Sequence, residues 1–361
     1  MTLWRELAPR LAGGERLSYE ESRRVMAEIM AGELGEIGLA SYLSMVALRG
    51  VGVAELRGLA DEMRSVAKPI DLPERVVDIV GTGGDKANTV NISTMAALVI
   101  AAAGYPVVKH GNRASTSACG SADLLEELGV DLDMRSSGII ASFRAADIAF
   151  LFANKFHPSM RHAARVRRDL GFPTAFNILG PLTNPVRPVA SAVGVARQDA
   201  APLVAGVFRE RGSSAFVFRG LEVGLDELSP VEKAQVWVVG GGEIAELVVD
   251  PASILGLPRC TVEELRGGAA AHNATVAREV FSGAEGPVRD AVGMNAAIGM
   301  MAGHAAGLPG PLAEMGLVAD WFSEESFAGG LRAAYEIAQV TLASGAVEKT
   351  LSNWVEVSRS A

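Results

Sequence analysis

The chain has 361 residues, 49% of them hydrophobic, which excludes a disordered chain and supplies material for one large core or two ordinary ones. A net charge of −9 and a pI near 5.2 argue against a general nucleic-acid binder, whose backbone binding needs a positive footprint. Two cysteines, Cys119 and Cys260, are too few for a disulfide framework or a Cys-rich zinc site. The longest apolar stretch, 95–103, is too short to cross a bilayer, and Arg5, Glu6 and Arg10 break any signal-peptide pattern at the N-terminus. A cytosolic protein, with neither nucleic acid nor membrane as partner, is therefore expected.

Ser18-Tyr19-Glu20-Glu21 has capping-box spacing and precedes Val25, Met26, Ile29 and Met30 on one helical stripe. Further helical patterns cover 37–48 and 53–66. Lys68-Pro69-Ile70-Asp71-Leu72-Pro73 then interrupts the pattern with two prolines and reads as a crossing between domains. Beyond it the style changes to short apolar runs at 76–80, 106–108, 148–151 and 215–218, separated by helical segments at 95–103, 122–128, 158–170 and 200–211. The expectation is a small helical domain over 1–70 and an α/β domain over 71–361, with a mostly parallel central sheet flanked by helices. Gly240-Gly241-Gly242 reads as a surface turn.

Gly81-Thr82-Gly83-Gly84-Asp85 follows the run 76–80 directly, and its three glycines let backbone amides approach an anion without Cβ interference. The third glycine of a dinucleotide fingerprint would fall at Lys86, so that motif is excluded, and the Walker pattern does not fit either. Asn91-Ile92-Ser93-Thr94, placed just ahead of the apolar helix expected near Met95, offers hydroxyls and free amides at a helix N-terminus. Lys109-His110-Gly111-Asn112-Arg113, followed by Ser115, Ser117 and Ser121, adds two cations and several hydroxyls at another strand end, where open α/β sheets bind ligands. A ligand with more than one phosphate would use all three segments. Asp226 and Glu227 are adjacent carboxylates suited to Mg²⁺, which keeps waters and substrate oxygens in its shell.

Those segments, together with His157-Pro158-Ser159-Met160-Arg161-His162, Val166-Arg167-Arg168 and Phe176-Asn177-Ile178-Leu179-Gly180-Pro181-Leu182-Thr183-Asn184-Pro185, resemble the anthranilate phosphoribosyltransferase family in order and over nearly the whole chain. The family shares its fold with class II nucleoside phosphorylases. The resemblance implies a homodimer joined through the N-terminal domain, with two Mg²⁺ ions. It also implies transfer of phosphoribosyl from phosphoribosyl pyrophosphate (PRPP) to the amine of anthranilate, in tryptophan biosynthesis. It assigns the donor to Gly81, Gly83, Gly84, Asp85, Thr89, Asn91, Ile92, Ser93, Thr94, Lys109, Gly111, Asn112, Arg113, Ser115, Ser117 and Ser121. Ser93, Asp226 and Glu227 are assigned to the metal, and Gly81, His110, Asn112, His157 and Arg167 to the acceptor.

The chemistry agrees with these roles. Leaving of pyrophosphate from the ribose C1 builds negative charge that Mg²⁺, Lys109 and backbone amides would stabilise. An aromatic amine is already neutral near pH 7, so positioning outweighs deprotonation and no catalytic base is nominated. A guanidinium such as Arg167 can pair with an acceptor carboxylate in bidentate fashion.

Departures from the family pattern are local. Val223-Gly224-Leu225 stands where Asp-Gly-Leu is usual, the preceding Gly220-Leu221-Glu222 is rearranged, and Ser229-Pro230-Val231-Glu232-Lys233 lacks a Thr-rich turn. Lys86 and Val90 replace the usual Gly and Phe, Asn154 replaces Pro, and Arg165 replaces a small residue. The donor chemistry is intact, whereas the acceptor is decided around Asn112, Asn154, Arg165 and Arg167. Two alternatives follow: a specialised paralogue using another aromatic acid, and a non-catalytic nucleic-acid-binding relative. The acidic total and Asp226-Glu227 oppose the second.

Overall fold

The computed structural model describes residues 3–114 and 118–360. They form two compact units, one of Met1–Ile70 with Ala153–Arg187 and one of Asp71–Phe152 with Pro188–Ala361. This differs from the expected division into two consecutive blocks, because the chain leaves the α/β unit after residue 152 and returns at 188. The segment between them is built from two helices, Ala153–Phe156 and Arg161–Leu170, with short turns and no strand, and it packs with helices. No helix of the described residues is long and apolar enough to cross a membrane.

The helical unit contains Leu3–Ala12, Tyr19–Ala31, Gly35–Arg49 and Val53–Ser65, then Arg161–Leu170 after the return. Tyr19–Ala31 starts as its sequence dictates: the Ser18 hydroxyl accepts from Glu21 N at 3.2 Å, and the Glu21 carboxylate accepts from Ser18 N at 2.8 Å. Its stripe of Val25, Met26, Ile29 and Met30 is buried. Buried Glu55 accepts the Leu17 and Gly52 amides at 2.9 and 2.8 Å and pairs with Arg49, which satisfies its charge inside the bundle.

The α/β unit has a seven-stranded sheet of β1 (Val77–Gly81), β2 (Val107–Gly111), β3 (Ile148–Phe152), β4 (Ala190–Gly194), β5 (Ser214–Gly220), β6 (Ala234–Gly240) and β7 (Glu243–Val249). Their order is β3-β2-β1-β4-β5-β6-β7. The first five are parallel, while β6 and β7 add an antiparallel hairpin turned at Gly241 and Gly242, both left-handed, as the triple-glycine reading requires. The helices Ile92–Ala102 and Pro287–Ala305 pack against each other and against β1, Pro287–Ala305 also covers β4, and both are buried over most of their length. That burial accounts for the unbroken apolar run at 95–103.

The chain runs from β1 outward to β2 and β3, then jumps back to β4 on the other side of β1. This reversal opens a crevice beyond the carboxyl ends of β1 and β4, the position where doubly wound sheets bind ligands. Gly81 and Gly194 are register partners at this point.

Candidate active site

Immediately after β1, Thr82 N donates to Gly194 O at 2.9 Å, and Ala196 N donates to the Thr82 hydroxyl at 3.2 Å, which ties the glycine loop to β4. Gly83 and Gly84 have φ of 67° and 92°, left-handed values that favour glycine. The Gly83 amide donates to Asp226 Oδ2 at 2.6 Å. One amide expected to face a ligand phosphate thus holds an internal carboxylate. Asp85 accepts the Ala87 amide at 3.0 Å and lies close enough to Asp226 to act on its ionisation.

The second segment differs from expectation in its boundary. The helix begins at Ile92, not near Met95, so Ser93 and Thr94 lie in its first turn. Ile92 is fully buried and its amide donates to Val90 O at 2.7 Å, so its side chain serves the core. Asn91 donates to Cys119 O at 3.0 Å and accepts from Asn273 at 2.8 Å, while Val90 N donates to Leu265 O at 2.9 Å. Thr89 bridges to Arg266. These bonds anchor 88–91 on the 265–273 segment. Ser93 N donates to Glu227 Oε1 at 3.2 Å, so Glu227 caps the helix and gains from its dipole. Among the described residues the buried Thr94 hydroxyl meets no hydrogen-bond partner.

Lys109, on β2, is 2% exposed, and its Nζ donates to Ile79 O at 2.5 Å and to the Ser93 hydroxyl at 3.3 Å. Burial pushes its ammonium pKa down, opposed by the charges of Asp78, Glu227 and Asp226. His110 points its amide to Asp78 at 3.4 Å and is itself buried. Gly111, Asn112 and Arg113 continue into a loop packed on Gly120, where an added Cβ would meet Ala114 N at 2.3 Å. Arg113 pairs with Asp123 at 3.0 Å and Glu126 at 2.5 Å and lies over the Phe152 ring. Ser121 opens the helix Ser121–Leu128, and Ser115 and Ser117 lie outside the described residues.

Asp226 and Glu227 are 7% and 9% exposed. Burial, then the charge of Asp85, pushes the Asp226 carboxyl from 3.8 up to about 7, while the Gly83 amide pulls the other way. Burial, then Asp226, pushes Glu227 well above the usual carboxylate range. Three buried carboxylates, Asp78, Asp226 and Glu227, with Asp85 nearby and one buried ammonium call for further positive charge, so this donor set fits a hard divalent cation. Among the described residues no group of three or more His, Cys, Asp or Glu side chains forms a closed metal cage. Such an ion would take its remaining ligands from substrate oxygens and water.

Four residues that shape this site carry no signal in the sequence. Gly194 lets the Asp226 backbone touch β4, since an added Cβ would lie 1.6 Å from Asp226 O. Asn295 accepts Leu228 N at 3.2 Å and donates to Leu228 O at 2.7 Å. Asn273 secures Asn91, and Glu232 organises the turn before Asp226. Gly194, Asn295 and Asn273 act across long sequence separations, which local patterns do not encode, and Glu232 acts through a turn that its own charged segment does not reveal.

In the helical unit, His157 is buried, and its Nε2–H donates to Thr183 O at 3.0 Å. Burial lowers its imidazole pKa, so it is a neutral strut for the 180–183 turn. Arg167 differs from its neighbours. Arg165 pairs with Glu36 and Asp169, and Arg168 with Asp169, all exposed. Arg167 is half-buried, lies 5.0 Å over the Phe176 ring, and has no carboxylate partner among the described residues.

Family and structural comparisons bear on this geometry. Residues 5–67 match the helical bundle domain of the glycosyl transferase family, and residues 73–309 match its a/b domain. Anthranilate phosphoribosyltransferase from Thermobifida fusca is 46% identical over 99% of this chain and 97% of its own. The crystal structure of anthranilate phosphoribosyltransferase from Thermus thermophilus aligns with a TM-score of 0.85 at 37% identity, covering 98% of this chain and 99% of that one. The Saccharomyces cerevisiae enzyme in complex with PRPP and Mg aligns with a TM-score of 0.84 at 26% identity, covering 99% and 98%. With both domains matched in order and a relative this similar over its full length, the chain belongs to the anthranilate phosphoribosyltransferase family.

Proposed function

We propose that this chain transfers phosphoribosyl from PRPP to the amine of anthranilate, releasing pyrophosphate and forming N-(5-phosphoribosyl)anthranilate for tryptophan biosynthesis in the cytoplasm. The observation that carries the reading is the buried Asp226–Glu227 pair beside Lys109 at the mouth of β1 and β4. It is a site short of positive charge and rich in fixed donors. Bound Mg²⁺, two ions in this proposal, would neutralise the departing pyrophosphate. Asp226 and Glu227 hold the ions, with the Ser93 hydroxyl as a further oxygen donor. Gly84, Asp85, Thr89 and the loop from Gly111 to Arg113 bind the donor. Lys109 fixes the β1 end and the Ser93 hydroxyl from beneath. Asn112 and Arg167 orient the acceptor, Arg167 through its carboxylate.

Incubation with Mg²⁺, PRPP and a panel of aromatic acids, followed by loss of anthranilate fluorescence and by pyrophosphate release, tests the reading. Turnover with another acid and none with anthranilate would replace the acceptor. Arg167→Ala is expected to raise KM for anthranilate about 10- to 100-fold, the worth of a charge-assisted pair, while leaving PRPP binding near its original value. Arg167→Lys should not restore it, because a lysine lacks the planar fork. Equal loss for both substrates would remove Arg167 from the acceptor.

The same proposal makes the protein a homodimer through its helical unit. The helix Gly35–Arg49 leaves Ile37 and Leu48 at 84% and 89% exposure, three turns apart on one side, with Ser41 and Ser44 between them. Large apolar side chains left in water on one helix face favour self-association. Sedimentation at micromolar concentration checks it, and a monomer would exclude it.

A further inference from the structure

Glu232 is 4% exposed and has no Lys or Arg partner in any ion pair among the described residues. Its carboxylate instead gathers four successive backbone amides. Oε2 accepts from Glu222 N and Val223 N at 2.6 Å each and from Gly224 N at 3.2 Å, and Oε1 accepts from Leu225 N at 3.0 Å. The turn wraps around a single anion, with Gly224 in the left-handed region at φ 84°. Gly220 makes room for it, because a Cβ there would lie 1.8 Å from Glu232 Oε1. Gly220 N also donates to Leu225 O at 2.8 Å, and Leu221 N to Lys233 O at 2.9 Å, closing the loop on itself.

The residue after the fourth amide is Asp226. Upstream, Glu232 fixes 222–225. Downstream, Asn295 holds Leu228 by both its amide and its carbonyl. Asp226 and Glu227 are thus suspended between two side chains that are themselves bonded to backbone. A carboxylate suits the upstream place because each oxygen accepts more than one hydrogen bond, and charge-assisted bonds to amides are about twice as strong as neutral ones.

We propose that Glu232 is a positioning residue for divalent-cation binding: its carboxylate sets the turn that aims Asp226 and Glu227. The inference rests on the reading of Asp226 and Glu227 as metal ligands. It also explains how the departures at 220–223 and 229–233 leave those carboxylates in place, since the altered turn is built around a carboxylate supplied by the altered segment.

Glu232→Gln keeps the shape but offers one acceptor oxygen and turns an NH₂ group toward an amide donor. In the full-length protein with PRPP, Mn²⁺ binding followed by electron paramagnetic resonance is expected to weaken about 10- to 100-fold, the usual effect of losing a group that orients a metal ligand. Turnover by the variant should recover as Mg²⁺ is raised and not as anthranilate is raised. Unchanged Mn²⁺ affinity in a folded Glu232→Gln protein overturns the proposal. Asp226→Asn separates the layers: weakened binding there but not in Glu232→Gln overturns the role of Glu232 alone, whereas wild-type affinity in both removes the metal reading and this proposal with it. Hydrogen exchange on the unsubstituted protein requires no variant to fold. Slow exchange at 222–225 in the absence of metal is expected, and rapid exchange there overturns the proposal.

Discussion

Gly194→Ala is expected to reduce turnover by about 100-fold while the protein still folds. An alanine Cβ at this position would sit 1.6 Å from the Asp226 carbonyl oxygen and 2.5 Å from its carbon, both backbone atoms that cannot rotate aside. The strand is held on one side by β1 and on the other by β5, in register with Gly81 and Phe218, so the 226 backbone must move instead. Displacing it by an ångström or more moves both carboxylates from the ends of the Gly83 and Ser93 amides, and misplacement on that scale costs about 100-fold in rate. The overpacking itself costs about 1–3 kcal/mol, which a chain of this size survives. Steady-state kinetics with thermal denaturation of the same variant checks both parts. Full activity would mean that the 226 turn is free of β4.

The same strand shows where the sequence is hard to read. Ala190-Ser191-Ala192-Val193-Gly194 has one β-branched residue and no aromatic, so neither strand propensity nor alternation marks it. Its residues are small because the helix Pro287–Ala305 packs directly on it, and that helix lies about a hundred residues later in the chain. By contrast β1, β2, β3 and β5 are rich in Val, Ile and Phe and are visible as runs. The return of 153–187 to the helical unit is hidden for a related reason. Nothing local distinguishes a helix that packs on a sheet from one that packs on a bundle.

The site is legible in its motifs and illegible in its supports. Gly81 to Asp85, Lys109 and Asp226-Glu227 each mark themselves by composition, since glycines and buried charges are costly without a purpose. Composition and spacing do not tell Arg167 from Arg165 and Arg168, which only the family resemblance does, because what separates them physically is an aromatic face beneath one and carboxylates beside the others. Glu232 reads as part of a charged loop, and only folding shows that its oxygens are consumed by the turn seven to ten residues upstream.

In metal-free solution at pH 7.5, Asp226→Asn is expected to be more stable than the unsubstituted protein. The folded state holds the Asp226 carboxyl near 7 against an ordinary 3.8, chiefly through burial and the nearby Asp85. A group raised in this way contributes its full stability below about pH 4 and loses it as pH rises through about 7. Asparagine keeps an oxygen for the Gly83 amide and carries no charge, so it escapes that loss. The stability gap between the two proteins should therefore grow from pH 5 to pH 7.5 and level off above. His157 is depressed by burial and works in the opposite sense below its ordinary 6.5, but it is common to both proteins and cancels in the difference. Denaturant titrations in EDTA at pH 5, 6 and 7.5 measure the gap. Adding Mg²⁺ should stabilise the unsubstituted protein more than the variant and narrow the gap, because a cation repays the buried charge that asparagine lacks. A gap that stays flat with pH would mean that the 226 carboxylate is not held under charge strain, and that the cation finds its electrostatic purpose elsewhere in the crevice.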